Sequence, residues 1–143
     1  MTAIASTTST TARRPGRAAS VALWVGQIVV AASMLFASVP KVTLDPMAVE
    51  GFGVIGFSPT GTLIIGLLEI AGAIGLLVPR LTGLAALCTV ALKIGAVAFT
   101  IPTMGAAMAV LPAVIGVIAA LVAYGRRYSA AALAAWVRTR TSR

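Results

Sequence analysis

The sequence contains no histidine and only one cysteine, Cys88, among its 143 residues. Histidine is the commonest metal ligand and the usual acid–base group near neutral pH. Its absence excludes bis-histidine haem, histidine metal sites and histidine catalysis. A single cysteine cannot form an intramolecular disulfide or a dithiol relay. The sequence therefore predicts no metal site.

Charged residues are also scarce, at 10% of the chain, with three acidic against eleven basic side chains. Apolar residues make up 59% and the mean hydropathy is +1.04, whereas soluble domains are about 45–50% apolar. So few charges cannot cover a water-facing surface, and the chain is predicted to lie in a lipid bilayer. The basic residues are not interleaved with aromatic side chains, so no nucleic-acid partner is predicted.

Four apolar segments divide the central part of the chain. They cover residues 20–39, 61–78, 83–101 and 105–124, and each can cross about 30 Å of hydrocarbon at 1.5 Å per residue. Backbone groups in lipid must be satisfied within the segment, so each span is predicted to be helical. The sequence therefore predicts an all-α, four-helix membrane bundle over residues 20–124, with a tight turn at 79–82 and a break at Pro102 and Thr103.

The basic residues are distributed unequally between the two sides of this bundle. If the N-terminus is inside, the inner segments hold nine arginines, whereas the outer segments hold only Lys41. This bias predicts that both termini are in the cytoplasm. Residues 1–19 are predicted to be a disordered basic tail, and residues 125–143 a basic amphipathic tail on the inner leaflet.

The outer segment between the first two spans begins with Asp45 and Pro46, a favourable helix start. Residues 46–57 are predicted to form an amphipathic helix that lies on the membrane surface or over the mouth of the bundle. Residues 51–56 match GxGxxG, but a dinucleotide site needs a strand before this motif and a βαβ unit around it. Loop geometry and close packing explain these glycines better.

Glu69 and Lys93 are the charged residues at the middle of the second and third spans. They lie about 17 and 20 Å from the centre of the 79–82 turn, so their charged ends can meet at one depth. A central acid is costly in lipid and is expected to face the bundle interior. Two hypotheses follow: an ion pair that locks the helices together, or a site that handles protons or polarises a ligand.

Two helical stripes extend this polar interior. The stripe along the third span comprises Thr82, Thr89, Lys93, Ala96 and Thr100. The stripe along the first span comprises Gln27, Ala31, Met34, Ser38 and Lys41. The candidate cofactor-binding residues are therefore Gln27, Lys41, Glu69, Thr89 and Lys93. The first three spans are predicted to surround the polar interior, with the fourth closing the bundle or facing lipid.

The sequence resembles the DoxX-like family over about residues 21–124. The resemblance rests on EGFGVIGFSPTG (50–61) and on GLLEIAGAIGLLVPRLTGLAALCTVALKIGAV (66–97), with its central glutamate, proline turn and alanine-rich third span. It implies a multi-pass protein of a bacterial inner membrane. Some relatives are membrane subunits of quinone-reducing oxidoreductases, and others act beside soluble redox enzymes or as assembly factors. Glu69 carries over as a candidate site residue, and Lys41 as a weaker one.

Three functions are compatible with these features, and none of them fixes the oligomeric state or establishes an enzymatic reaction. The first is a quinone-linked membrane subunit, in which Glu69 exchanges protons and Lys93 stabilises charge on a quinone oxygen, beside a soluble redox protein on the cytoplasmic side. The second is a non-enzymatic anchor or assembly partner for a soluble enzyme. The third, a small transporter, is less favoured because the strong charge bias disagrees with the antiparallel dimers of small exporters.

Overall fold

In a computed structural model, residues 17–127 are described, and every regular element among them is an α-helix. The five helices are α1 (Arg17–Val42), α2 (Pro46–Val54), α3 (Pro59–Leu77), α4 (Thr82–Met104) and α5 (Ala106–Gly125). The predictions for residues 1–16 and 128–143 of the tails lie outside this part of the chain.

Side-chain caps and prolines start α2 and α3, as the sequence predicts. The Asp45 carboxylate accepts a hydrogen bond from the Met47 backbone N–H at 3.0 Å, and the Ser58 hydroxyl accepts one from Gly61 at 3.2 Å. Each cap precedes a proline at the first helical position, where a missing N–H costs nothing.

The predicted break at Pro102 and Thr103 lies instead at Gly105, and the first helix runs past the predicted end of its span at residue 39. α1 continues through Pro40 to Val42, and α4 continues through Pro102 to Met104. Each proline lies in the last turn of its helix, so the one backbone hydrogen bond that it removes is near the helix end and little of the helix depends on it. α4 ends instead at Gly105, whose φ of +87° is unfavourable for other residues.

The predicted outer helix is also shorter than expected, because it ends at Val54 rather than at residue 57. Gly56 has a φ of +87° and turns the chain before Ser58 caps α3. α2 packs against α3 and α1. It therefore covers one end of the bundle, which we call the α2 end; the opposite end is the termini end.

Four of the helices, α1, α3, α4 and α5, are long and apolar enough to cross a membrane. Many of their large apolar side chains are exposed, among them Phe36, Leu67, Ile94 and Leu121. Such a surface is stable only in an apolar solvent. The chain is therefore a multi-pass membrane protein with a lipid bilayer as its environment.

The four long helices form two pairs. α1 packs along α3 and α4 packs along α5, whereas contacts between the pairs are fewer. The pairs approach closely near the termini end, where a Cβ added to Gly75 would lie 2.8 Å from the Ala85 Cβ and one added to Gly26 would lie 3.2 Å from Val122. Towards the α2 end the pairs enclose a cavity instead.

Candidate functional site

Glu69 is the centre of a buried group of three charges. It is the eleventh residue of the 19-residue α3, and only 4% of its surface is exposed. Its Oε1 accepts a hydrogen bond from Lys93 Nζ at 3.0 Å, and its Oε2 accepts one from Lys41 Nζ at 2.7 Å. Lys41, Glu69 and Lys93, which we call the ion triad, carry one net positive charge when all three are ionised.

Lys41 reaches this group by folding back along its own helix. It is the penultimate residue of α1, and its ammonium donates to the Ala37 carbonyl one turn earlier at 2.6 Å as well as to Glu69. A lysine near the end of a membrane helix usually extends towards water. Here the side chain points into the bundle, and its ammonium lies 5.6 Å from the centre of the Phe52 ring.

Lys93 has hydrogen-bonding capacity that the protein does not use. It is 8% exposed, and among the described residues its ammonium has one hydrogen-bond partner, Glu69. An ammonium group has three N–H donors, so two remain for a ligand. Its stem packs on α5, where a Cβ added to Gly116 would lie 3.2 Å from the Lys93 Cβ.

Small residues on α3 allow α1 to approach the ion triad. A Cβ added to Gly66 would lie 2.9 Å from both the Lys41 Cβ and the Val42 Cγ2, and one added to Gly72 would lie 3.0 Å from the Met34 Cε. Ala73 is fully buried beside them. This close packing around Glu69 sets the position of the Lys41 backbone.

Gly66→Ala is expected to destabilise the protein by about 1–3 kcal/mol, because the new methyl group overlaps Lys41 and Val42 and pushes α1 from α3. Gly95→Ala is the matched control, since a Cβ there meets nothing within 4 Å. It should be neutral or stabilise the helix by up to about 1 kcal/mol. Thermal unfolding in detergent measures both; equal melting temperatures would show that α1 and α3 are not in contact at Gly66.

A cavity of about 720 Å³ adjoins the ion triad. All five helices and the segment after α2 contribute to its wall. The wall is mainly apolar, and its members include Ala37, Phe52, Phe57, Ile65, Leu92, Ala96, Phe99, Leu111 and Ile115. Lys41, Glu69 and Lys93 supply its charged groups. An apolar chamber with a few convergent polar groups at one place is typical of a small-molecule site.

The structure does not bring Gln27 and Thr89 to this cavity. The Thr89 hydroxyl donates to the Ala85 carbonyl at 2.8 Å and lies 3.5 Å from the Met34 sulfur. Gln27 lies near the termini end; in the amide orientation that satisfies its neighbours, it donates to the Leu76 carbonyl and accepts from Arg126. Both residues are buried, and neither lines the cavity.

Within residues 17–127, no group of three or more histidine, cysteine, aspartate or glutamate side chains is placed to hold a metal ion. Cys88 is exposed on the outer surface of α4. The chemistry that the described side chains can perform at the cavity is therefore hydrogen bonding, charge stabilisation and proton exchange by the ion triad.

Sequence reasoning missed that both lysines of the chain bind the same carboxylate. The sequence places Lys41 on the polar stripe of the first span and among the candidate cofactor-binding residues, but it pairs Glu69 with Lys93 alone. The signal was present, because Lys41 continues the stripe of Gln27, Ala31, Met34 and Ser38 on the buried face of α1. The structure thus changes a neutral pair into a triad with a surplus cation.

Residues 25–123 match the sequence profile of the DoxX-like family, which is 99 of the 143 residues. The matched region includes Lys41, Glu69 and Lys93 and almost all of the four long helices. No curated protein sequence and no solved structure matches the chain.

Proposed function

Because this chain belongs to the DoxX-like family and has four helices that can span a bilayer, we propose that it is a quinone-linked membrane subunit of a redox complex. The quinone head group would bind in the cavity beside Glu69, with Lys93 donating to one of its oxygens. The observation that carries the proposal is the surplus positive charge of the ion triad.

A purely structural ion pair does not need this surplus. One lysine neutralises Glu69, and a second ammonium group away from water adds a desolvation cost with no second anion to offset it. A ligand oxygen that carries or develops negative charge would offset that cost. Of the two hypotheses from the sequence, the ligand-polarising site therefore explains Lys41 and Lys93 together.

The residues of the cavity fit a quinone. A volume of about 720 Å³ with apolar walls accommodates a substituted ring, and two unused N–H donors of Lys93 fit a ring oxygen. A bound quinone would supply the capacity to take up two electrons and two protons. Lys93 would hold the oxygen by a charge-assisted hydrogen bond, and Glu69 would keep the ammonium in place.

Proton exchange is the second task of the ion triad in this proposal. Both cations at the cavity are lysines, which can release a proton, whereas none of the arginines within residues 17–127 lines the cavity. Glu69 links Lys41 and Lys93, so one connected group of three titratable side chains adjoins the ligand. The electrons would come from a soluble redox protein, since no metal ligand set is present in the described residues.

The depth of the ion triad is compatible with a partner at the termini end. Glu69 lies eight residues from Leu77 and ten from Pro59, or about 12 and 15 Å along α3. We place the soluble redox protein at the termini end because Arg17, Arg80, Arg126 and Arg127 are the exposed or half-exposed cations there. The same arginines also favour the second candidate, a non-enzymatic anchor that docks a soluble enzyme.

Quinone binding by the purified chain separates these two functions. The wild-type protein in lipid nanodiscs would be titrated with a quinone that carries a ten-carbon tail, and bound ligand would be measured after separation from free ligand. Saturable binding of about one quinone per chain is expected. An anchor would bind none while still co-purifying with a soluble protein in mild detergent.

We propose that the protein lies in the inner membrane of a bacterium with both termini in the cytoplasm, because the arginines are concentrated at the termini end. Topology reporters fused after Arg127 should therefore report a cytoplasmic location, and reporters inserted in 46–54 should report a location outside the cytoplasm. A reporter after Arg127 that is active only outside would contradict this orientation.

A further inference from the structure

Side chains of the protein cover some sides of the cavity more completely than others. At the α2 end, α2 and the segment that follows it form a roof, to which Phe52, Ile55 and Phe57 contribute half-buried side chains. The Phe57 ring contacts Phe52 edge to face at a centroid distance of 6.0 Å. This roof lies between the ion triad and the water beyond the α2 end.

The flank between α3 and α4 is bridged by an aromatic contact, although Phe99 there is 47% exposed. Phe57, just before α3, contacts Phe99 of α4 at a ring-centroid distance of 5.9 Å. Further from α2, Gly75 and Ala85 bring the same two helices into direct contact. Side chains thus join α3 and α4 at both ends of this flank.

The flank between α1 and α5 is different. These helices make close contact near the termini end, at Gly26 with Val122 and at Leu23 with Gly125. Towards α2, the side chains that line the cavity on this flank are also exposed to the surroundings: Phe36 is 85% exposed and Leu111 is 71% exposed. These are the two most exposed large apolar side chains of the cavity wall, which marks an opening between them. We call Phe36 and Leu111 the rim.

This opening faces hydrocarbon rather than water. The rim residues lie within helices that can span a bilayer, with apolar neighbours such as Val110 that are exposed outside the cavity. Pro112 lies inside α5 and lines the cavity directly beside Leu111. A proline in a helix interior removes one backbone hydrogen bond and favours a bend at that point.

We infer that the cavity receives its ligand sideways from the lipid, through the opening between α1 and α5. The ligand is an amphipathic molecule with one oxygen-bearing head that reaches Lys93 and an apolar tail that stays between Phe36 and Leu111. The inference rests on the proposed function for the head group alone. It adds the route of entry and requires a tail that remains in the bilayer.

The route can be tested without a quinone, by cysteine labelling of the cavity. Cys88 is exposed and would first be replaced by alanine. Ala96→Cys then places a thiol in the cavity wall, and Met47→Cys on α2 provides an exposed control. A charged methanethiosulfonate reagent, which cannot cross hydrocarbon, should label Met47→Cys quickly and Ala96→Cys slowly. A lipid-dissolved pyrene maleimide should label Ala96→Cys readily.

The decisive experiment compares labelling rates when a larger side chain is placed at the rim and at a neighbouring position outside it. Leu111→Trp should slow pyrene maleimide labelling of Ala96→Cys by about tenfold, because a large indole occupies the opening. Val110→Trp is the matched control: Val110 is exposed on the same helix but does not line the cavity, so the rate should not change. Fast labelling by the charged reagent, or no effect of Leu111→Trp, would overturn lateral entry.

The same variants keep the two proposals apart. Lateral entry is supported if labelling behaves as expected even when the wild-type protein binds no quinone, and only the identity of the ligand is then wrong. If the ten-carbon quinone binds and Leu111→Trp leaves both its association rate and the labelling rate unchanged, quinone binding stands and lateral entry is overturned.

Discussion

Glu69→Gln is expected to lower the melting temperature in detergent by about 10 °C or more, the largest effect of any substitution in the site. The substitution keeps the shape of the side chain but leaves the ammonium groups of Lys41 and Lys93 close together with no counter-ion. Removing one partner of a buried ion pair costs about 3–5 kcal/mol in soluble proteins. Here one substitution deprives two cations of their partner.

Second substitutions should restore this loss unequally. In Glu69→Gln with Lys93→Met, the remaining Lys41 lies next to the end of α1 and can turn towards water. In Glu69→Gln with Lys41→Met, the remaining Lys93 is the twelfth residue of the 23-residue α4 and has no such escape. The first double variant should therefore recover more stability, as a double-mutant cycle would measure.

Glu50→Gln is the matched control, because Glu50 is exposed on α2 and is the other glutamate of the chain. Its melting temperature should equal that of the wild-type protein within error. If Glu69→Gln were as stable as Glu50→Gln, the Glu69 carboxylate would not pair with the lysines inside the bundle, and the assignment of the site would be wrong.

Lys93→Met is expected to lower quinone affinity by about 10- to 100-fold, the loss of one charge-assisted hydrogen bond worth about 1.5–3 kcal/mol. It should destabilise the protein much less than Glu69→Gln does, because Lys41 and Glu69 remain as a neutral pair. A single Glu69–Lys93 pair would instead make the two substitutions similarly damaging. The ion triad predicts that stability and binding respond to different members.

Lys41→Met separates the charge of the ion triad from the hydrogen bond to the ligand. It also leaves a neutral pair, between Lys93 and Glu69, but keeps the ammonium with unused donors. Its affinity for the ten-carbon quinone should therefore fall less than that of Lys93→Met. Thr89→Val, one turn from Lys93 and outside the cavity, should bind normally. Wild-type affinity in both lysine variants would show that the surplus charge serves no ligand.

The arrangement of Glu69 and Lys93 was accessible from the sequence because it depends on chain connectivity alone. The short 79–82 turn forces α3 and α4 to run side by side, so residues at similar distances from it reach similar depths. The contact of Lys41 with Glu69 was harder to predict. It requires the side chain to fold back one turn, and Gly66 to admit α1 at that point, both of which depend on a partner distant in sequence.

The helix ends also divide into those that the local sequence predicts and those that it does not. Asp45 and Ser58 cap their helices through atoms two and three residues away, and their sequence context was sufficient. Pro102 was expected to break the chain and did not, and α1 likewise continues through Pro40, because a proline in the last turn disrupts little. The true ends at Gly105 and before Gly56 depend on a positive φ, which a glycine permits but does not require.

The sequence by itself determined the number of helices that can span a membrane, the family, and the acid at the centre of the bundle. Hydropathy and charge placement act through the surrounding solvent, so they can be evaluated without knowing which residues pack together. Only the tertiary structure decided that two lysines share Glu69, that a cavity adjoins them, and that Gln27 and Thr89 lie outside its wall. These features depend on how far apart the two helix pairs lie. That separation is set by side chains meeting across the bundle, which no local pattern records.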